Sequence, residues 1–362
     1  MSSQKLKGLV LAGGRGTRLR PLTFTMAKQL VPVANQPVLC YALNSLIQAN
    51  VKDIGIIICP ETGEAIKSVV QKWCPKDVQI TFIWQDEPAG LAHAVKIAKP
   101  YLQKSNFIMY LGDNLIQGEL SPLIEAFSAD NSSANILLKP VSNPQSFGIA
   151  LLDNTGKIVC LEEKPKKPKS NLALVGVYLF TPEIFEAIDN IKPSARGELE
   201  ITDAIQRLID DGKTVKSCKM MGWWLDTGKK DDLLEANRIV LDTYCKAEVL
   251  GDVDDHSQIR GRVQIDKGSK IINSVIQGPV KIGANCQIQD AYIGPYTSIG
   301  DGSKISQAEV ENSVFLENCR LLDLSVRVEQ SLVGNDCSIT RSQGRPATYR
   351  FLLGEQSIVE IL

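Results

Sequence analysis

Leu9-Val10-Leu11-Ala12-Gly13-Gly14-Arg15-Gly16-Thr17-Arg18-Leu19-Arg20-Pro21 is an apolar run that breaks into glycines and arginines. The run reads as a buried strand, so the glycines sit where a strand ends and a loop opens. Three glycines in four positions let backbone N–H groups approach a polyphosphate with no side chain in the way. Arg15, Arg18 and Arg20 add fixed positive charge, and guanidinium forks suit phosphate oxygens. The stretch predicts a loop that holds a nucleoside triphosphate at a strand end. Two other phosphate motifs fail on spacing. A dinucleotide fingerprint needs G-x-G-x-x-G, and the order here is G-G-x-G-T-R; Gly212-Lys213-Thr214 ends like a Walker A loop but has Arg207 in place of its first glycine.

Outward from the loop, apolar runs at Gly8–Leu11, Ile54–Cys59, Ile80–Trp84, Phe107–Leu111 and Ile136–Lys139 recur. Helix-length amphipathic segments (Pro37–Ala49, Gly63–Trp73, Gly90–Ala98) separate the first four. This alternation predicts a doubly wound α/β sheet with ligand chemistry at the C-terminal strand ends. Residues 145–180 break the pattern with short extended runs, expected as an antiparallel insertion forming a lid or second lobe. From His256 the period changes. Apolar residues at Ile259, Ile265, Ile271, Ile276, Ile282, Ile288, Ile293, Ile299, Ile305, Val310, Leu316 and Leu322 step by 6, 6 and 5, a 17-residue repeat that Val333 and Ile339 continue and Arg327 interrupts. A hexapeptide period of this kind predicts a left-handed parallel β-helix of about five coils. The expected division is 1–237 for the α/β domain, 238–255 for a connecting helix, and 256–362 for the β-helix with a C-terminal cap segment.

With 362 residues the chain is long for one core. A net charge of −1 gives no broad electrostatic footprint for nucleic acid or an anionic membrane, and neither is expected as a partner. The N-terminal residues read as neither signal nor transit peptide, and no apolar stretch is long enough to span a bilayer. Nine cysteines without a C-x-x-C pair point to structural thiols in the reducing cytoplasm. Only two histidines, His93 and His256, make a histidine zinc site or a His-dependent triad a poor fit. Any metal must then be held by carboxylates, which favours Mg²⁺.

Several residues carry candidate chemistry. Lys28, ten residues after Arg18, would either reach the same phosphates or stand as a solvated surface lysine. Asp113 closes the most apolar strand, and Asp226 follows a second apolar run; two such aspartates would converge on one hard cation, although Asp113 or Asn114 would equally cap a helix. Glu163 and Lys164 follow a strand directly, and Arg196 stands beside a helix start where Glu198 and Glu200 read as helix-entry charges or ligands.

Taken in order, LAGGRGTRLRP from Leu11, MAKQLVPVANQPV from Met26, QDEPAGLAHA from Gln85, LGDN from Leu111, LEEKP from Leu161, SARGELEITD from Ser194 and WLDTG from Trp224 resemble the sugar-1-phosphate nucleotidylyltransferase family. Within it the pattern is similar to the long-form glucose-1-phosphate thymidylyltransferases, and the likeness spans nearly the whole chain. The resemblance implies a Rossmann-like nucleotidyltransferase domain followed by the β-helix. It further implies that Leu11, Gly13, Gly14, Gly16 and Thr17 wrap the triphosphate and ribose. Arg18 and Lys28 would bear on the reacting phosphates. Gln85, Pro88 and Gly90 would read the pyrimidine, and Asp113 and Asp226 would hold Mg²⁺, with Asp113, Arg18 and Lys28 carrying catalysis. Asn114, Gly148, Glu163, Lys164 and Val175, with Arg196 and Trp224 nearby, would form the sugar-phosphate site. Ala89 departs from an acidic residue common in short forms, which leaves the finer base contacts open.

The expected reaction joins dTTP and α-D-glucose 1-phosphate into dTDP-glucose and pyrophosphate. A UTP- or other NTP-dependent relative, a hexapeptide acyltransferase and a non-catalytic nucleotide-sugar sensor stand as alternatives. The β-helix is expected to serve homo-oligomer assembly or regulation, so that its removal disturbs assembly or stability more than chemistry.

Overall fold

The structure, a computed structural model, describes residues 6–14, 16–341, 344 and 349–361. Arg15 of the phosphate loop and Leu362 of the expected cap lie outside the described residues. Two compact units emerge, one from the start of the chain to residue 15 plus Val38–Asp226, the other Gly16–Pro37 plus Thr227–Leu362. This division differs from the sequence boundary at residue 237, which falls inside the helix Lys230–Tyr244. A short early segment, Gly16–Pro37, belongs with the late half of the chain.

In the first unit Lys7–Leu11 lies between Phe107–Leu111 and Asp53–Ile58, parallel to both, and Gln79–Trp84 pairs parallel beyond the latter. Leu9, Leu11, Phe107 and Met109 alternate into one core with Ala92, Val95, Ile201 and Ile205 from two helices. Leu39, Leu43 and Leu46 of the helix Val38–Gln48 are fully buried. A Cβ placed on Gly112 would stand 3.2 Å from Leu39 and 3.3 Å from Val10, so that helix covers the strands' other face. Burial on both faces explains why the runs of Lys7–Leu11, Asp53–Ile58 and Phe107–Leu111 are apolar throughout instead of alternating, while Gln79–Trp84 is only partly buried.

Residues 145–180 form no separate lid. Leu172–Phe180 is an interior strand, antiparallel to Phe107–Leu111 on one side and to Ala134–Pro140 on the other. Gly148–Leu152 and Ile158–Glu163 form an antiparallel hairpin that continues the same sheet from it. The short runs met the sequence pattern of a hairpin, but their apolar face joins the main core: Ala150, Ile158, Leu161 and Leu174 all lie in it.

In the second unit three parallel sheets of six, six and five short strands stack into the left-handed β-helix. Ile265, Ile282, Ile299, Phe315 and Val333 pair in one column, Ile271, Ile288, Ile305, Leu321 and Ile339 in the next, and Ile259, Ile276, Ile293, Val310 and Val328 in the third. The pairing corrects the sequence phase. One residue is missing between Val310 and Phe315, two are added between Leu321 and Val328, and one is missing again between Val328 and Val333, so Phe315 and Leu321 point inward in place of Leu316 and Leu322 and the phase is restored at Val333. Arg327 does not interrupt the column; Val328 fills it, while Arg327 bonds Glu309 and Glu311 outside. Corners turn through left-handed residues, Gly268, Asn285, Gly302, Asn318 and Asp336 at one of them, types that tolerate positive φ. Residues 349–361, expected as a cap, hold no helix or strand and leave Tyr349, Leu352 and Ile358 exposed.

All nine cysteines are free thiols. Burial pushes Cys286 up to about 11 and Cys319 up to about 12. Each directs its sulfur at a carbonyl of the next coil, Gly300 and Gly334, at 3.2 Å. They act as small core residues.

Ile288 sits mid-column with no exposed surface. Ile288→Ala is expected to cost about 2–5 kcal/mol, the range for emptying a packed isoleucine site, read as a lowered urea midpoint at unchanged slope. A loss below about 0.5 kcal/mol, the size of an ordinary surface substitution, would contradict the inward column.

Candidate active site

The sheet's parallel strands end together, and three groups of residues collect after those ends within the first unit. Leu11 closes the first strand, and Gly112 N–H donates to its carbonyl at 2.9 Å. Gly13 follows beside Gln85: a Cβ on Gly13 would stand 3.2 Å from the Gln85 Oε1. Gln85 itself follows the strand Gln79–Trp84, donates its backbone N–H to the Ile58 carbonyl at 2.8 Å, is buried, and sets its amide 3.0 Å from His93 Nδ1. Sequence reading missed His93 in this role, because a ring nitrogen eight residues away meets Gln85 only once the intervening loop folds back. That loop is braced from outside. Ala89 and Leu199 bond backbone to backbone, and Gly90 has φ 104°, with a would-be Cβ 2.4 Å from the Leu199 carbonyl oxygen. Only glycine fits there. Pro88 and Gly14 are exposed.

The second group joins residues more than a hundred apart. Trp224–Asp226 pairs antiparallel with Asn114–Ile116, which sets Asp226 opposite Asn114 and one position from Asp113. Asn114 Nδ2 donates to Asp113 Oδ1 at 3.0 Å, and Trp224 Nε1 donates to Asn114 Oδ1 at 2.6 Å. Gly176 leaves room for that amide, since a Cβ there would stand 2.7 Å from Asn114 Oδ1. The backbone register thus brings the two distant aspartates to within one position of each other. The third group surrounds Glu163, paired across the hairpin with Gly148. Glu163 Oε2 accepts from Thr202 Oγ1 at 2.7 Å, and Glu163 Oε1 lies 3.4 Å from Arg196 and 3.6 Å from Lys164. A Cβ on Gly148 would intrude to 2.9 Å of this carboxylate. Phe147, next to Gly148, packs its ring 5.0 Å from that of Trp224 and so links this group to the second.

Glu200 is neither a ligand-facing residue nor a simple helix-entry charge. It is buried, and its carboxylate accepts from Arg196 at 2.8 and 2.9 Å and from Ser194 at 2.7 Å. Burial opposes the Arg196 charge, but Glu200, Glu198 and Glu163 outweigh it and hold the guanidinium above its ordinary range. Burial, with Glu200 and Glu163, pushes the Asp203 carboxyl up. Val175 is fully buried and presents no surface to a ligand.

Gly16, Thr17, Arg18 and Lys28 lie in the second unit. Gly16 takes φ 63° ahead of the short helix Thr17–Leu19, and a Cβ on it would collide with Lys28 Cβ at 2.6 Å. Glycine is therefore what lets the Lys28 stem lie against the loop. Thr17 and Arg18 are exposed. Arg20 is engaged elsewhere, over the Phe24 ring at 4.7 Å. Burial pushes the Asp232 carboxyl up against the opposing pull of Lys229 and Arg18, which places Arg18 in electrostatic reach of the helix Lys230–Tyr244.

Comparison with known proteins gives the family. The profile of the nucleotidyl transferase family matches residues 7–243. A glucose-1-phosphate thymidylyltransferase of Streptomyces antibioticus is 48% identical over 98% of this chain and 99% of its own length. One from Streptomyces griseus is 44% identical over 98% and 99%. A crystal structure of a candidate glucose-1-phosphate thymidylyltransferase from Bacillus anthracis superposes with TM-score 0.61 at 37% identity, covering 65% of this chain and 94% of that one. With its parallel strand ends gathering Asp113, Asn114 and Asp226, and with its β-helix, the chain belongs to the sugar-1-phosphate nucleotidylyltransferase family in its long form.

Proposed function

We propose that this chain transfers the thymidylyl group of dTTP to α-D-glucose 1-phosphate, giving dTDP-glucose and pyrophosphate. The near-full-length identity to two glucose-1-phosphate thymidylyltransferases supports this choice of substrates. The observation that carries the chemistry is the register that sets Asp226 beside Asp113 at a strand end.

A sugar-phosphate oxygen attacks the α-phosphorus. A new P–O bond forms there as the bond to the bridging oxygen breaks, and pyrophosphate departs with that electron pair. The attacking oxygen is already ionised at neutral pH, so no general base is needed. Positioning and charge neutralisation supply the rate.

Asp113 and Asp226 would hold Mg²⁺. Two carboxylates at adjacent register positions suit an ion that takes one or two protein oxygens and completes its shell with phosphates and water. Bound there, the ion supplies charge stabilisation to the phosphates. Among the described residues no group of three His, Cys, Asp or Glu able to hold a metal ion is found, and oxygens of the substrate and of water would complete the shell. Gln85, whose amide nitrogen lies 3.0 Å from His93 Nδ1 and 3.5 Å from the Gly90 carbonyl, would turn its amide oxygen to the pyrimidine edge. Glu163, Lys164 and Arg196 would orient the sugar phosphate. Arg18 and Lys28 would counter the triphosphate charge.

Asp113→Asn and Asp226→Asn are each expected to lower kcat by about 10²-fold or more in a pyrophosphate-release assay, because a lost ligand weakens charge stabilisation by several kcal/mol. Rates near wild type at saturating Mg²⁺ would remove that residue from the metal site.

Arg18→Ala is expected to reduce kcat by about 10²-fold with a smaller rise in KM for dTTP, since charge grows on the departing pyrophosphate. A change confined to KM would mean that Arg18 binds ground and transition states alike.

Across four nucleoside triphosphates, kcat/KM should rank dTTP first, UTP lower by about 10- to 150-fold, and purines lowest. Thymine and uracil share one polar edge and differ by a methyl group, worth about 1–3 kcal/mol in a fitted pocket. Purine turnover equal to that with dTTP would overturn the role given to Gln85.

A further inference from the structure

One outer column of the β-helix changes character along its length. Gln264, Lys281, Ser298, Val314 and Leu332 pair in succession down one sheet, so the column runs from polar to apolar. The first two are partly exposed, whereas Ser298 and Val314 are buried. Leu316, displaced from the inward column by the missing residue between Val310 and Phe315, joins the apolar end. Leu22 and Met26 pack there, against Val314, Leu316, Leu332 and Leu234. A soluble β-helix does not turn one outer face apolar without covering it. Here the cover is the segment Gly16–Pro37, which carries Arg18 and Lys28.

The far end of that segment is clamped by polar contacts. Pro32–Val33 and Gln36–Pro37 form a hairpin of two residues a side, joined through Ala34 and Asn35 at φ 47° and 59°. Such a turn favours Asn-Gly or Gly-Gly, and alanine in the left-handed region is strained. A hairpin this short has no stability of its own. It is held by Asn237 of the helix Lys230–Tyr244. Ala34 N–H donates to Asn237 Oδ1 at 2.9 Å, Ser298 Oγ donates to the same oxygen at 2.6 Å, and Asn237 Nδ2 donates to the Tyr296 carbonyl at 2.9 Å. Asn35 Nδ2 donates to the Ile299 carbonyl at 2.7 Å. Asn237 is 1% exposed, so none of these bonds is exchanged with water at little cost. Between the clamp and Lys28 the chain is stiff. Lys28–Leu30 is a helical turn closed by Val31 N–H to Lys28 O, and Val31 and Val33 are fully buried.

We infer that the β-helix, through the Asn237 clamp and the apolar column, sets the position of Arg18 and Lys28, so that Asn237 is a positioning residue for nucleotidyl transfer. The β-helix is then part of the catalytic apparatus and not only an assembly device. This inference rests on the reading of Arg18 and Lys28 as the cations of the triphosphate site. It differs from the sequence expectation that losing the β-helix disturbs assembly or stability more than chemistry.

The test compares four single variants of the full chain by steady-state kinetics with dTTP and glucose 1-phosphate, well below their melting temperatures. Asn35→Gly keeps a favourable residue in the turn and removes only the bond to Ile299. Asn237→Ala removes the hub. Ile288→Ala weakens the β-helix without touching the clamp, and Lys28→Ala provides the background for double variants. Asn35→Gly and Asn237→Ala are expected to lower kcat by about tenfold or more, with KM for either substrate moving less, because sub-ångström misplacement of charge acts on the transition state. Ile288→Ala should stay within about twofold of wild type despite its lower stability. In the Lys28→Ala background, the Asn237→Ala loss should shrink to about threefold or less, since residues acting as a unit are not additive. The inference is overturned if both clamp variants keep kcat within about twofold, if Ile288→Ala loses as much as they do, or if the Asn237→Ala loss is undiminished without Lys28. Wild-type kcat in Lys28→Ala or Arg18→Ala would instead remove the underlying reading of that cation.

Discussion

Three residues a side, Asn114–Ile116 against Trp224–Asp226, carry the chemical half of the first unit. Strand pairing fixes register to one residue, and a slip of one would reverse every side chain. Here the register sets Asp226 opposite Asn114, and the Trp224–Asn114–Asp113 chain of hydrogen bonds ties it in place. Trp224 has a further use, since its ring packs on Phe147 and so on the hairpin that presents Gly148 and Glu163. A short edge pair would be weak alone. It is kept by its neighbours, with Leu115 buried and Gly176 shaped to admit the Asn114 amide.

Much of this was legible in the sequence, and the limits have physical causes. Continuous apolar runs gave the parallel strands because burial on both faces leaves no alternation to disguise them. The period of six gave the β-helix because each coil must return an apolar residue to one column. Period reports burial and not partners, however. The runs between Gly148 and Phe180 have the pattern of a hairpin whether they form a lid or extend the main sheet, and only their pairing with Phe107–Leu111 and Ala134–Pro140 decides it. The phase error at Leu316 has the same origin. Phe315 and Leu316 are both apolar, so the deletion between Val310 and Phe315 leaves a plausible residue at the expected spacing. The signal that would have found it was Arg327, read as an interruption but in truth the mark of a shifted phase one residue ahead of Val328.

The residues that escaped sequence reading are those whose work is done on another side chain. Glu200 looks like any acidic residue at a helix start, and its burial against Arg196 depends on Ser194 and the loop before it. His93 meets Gln85 across a loop that Leu199 braces from a hundred residues away. Asn237 sits on a helix whose apolar pattern suggests only packing, and the polar residue within that buried stripe was the available clue. A buried amide is retained against its desolvation cost only when its bonds are made, and Asn237 makes three.

Taken as electrostatics, the charged groups around Glu163 and Arg196 in the first unit hold one another in place. Glu163 is occupied by the Thr202 hydroxyl and flanked by Arg196 and Lys164, and Glu200 is saturated by Arg196 and Ser194. Arg196 is pinned above its ordinary range, which makes it a permanent cation across any physiological pH. This is the requirement of phosphoryl transfer between groups that are already ionised: the nucleophile needs no base, the leaving pyrophosphate needs no acid, and a misplaced charge is costlier than a weak one. The left-handed alanine at position 34 is compensated locally, by the hydrogen bond that its N–H donates to the buried Asn237 amide.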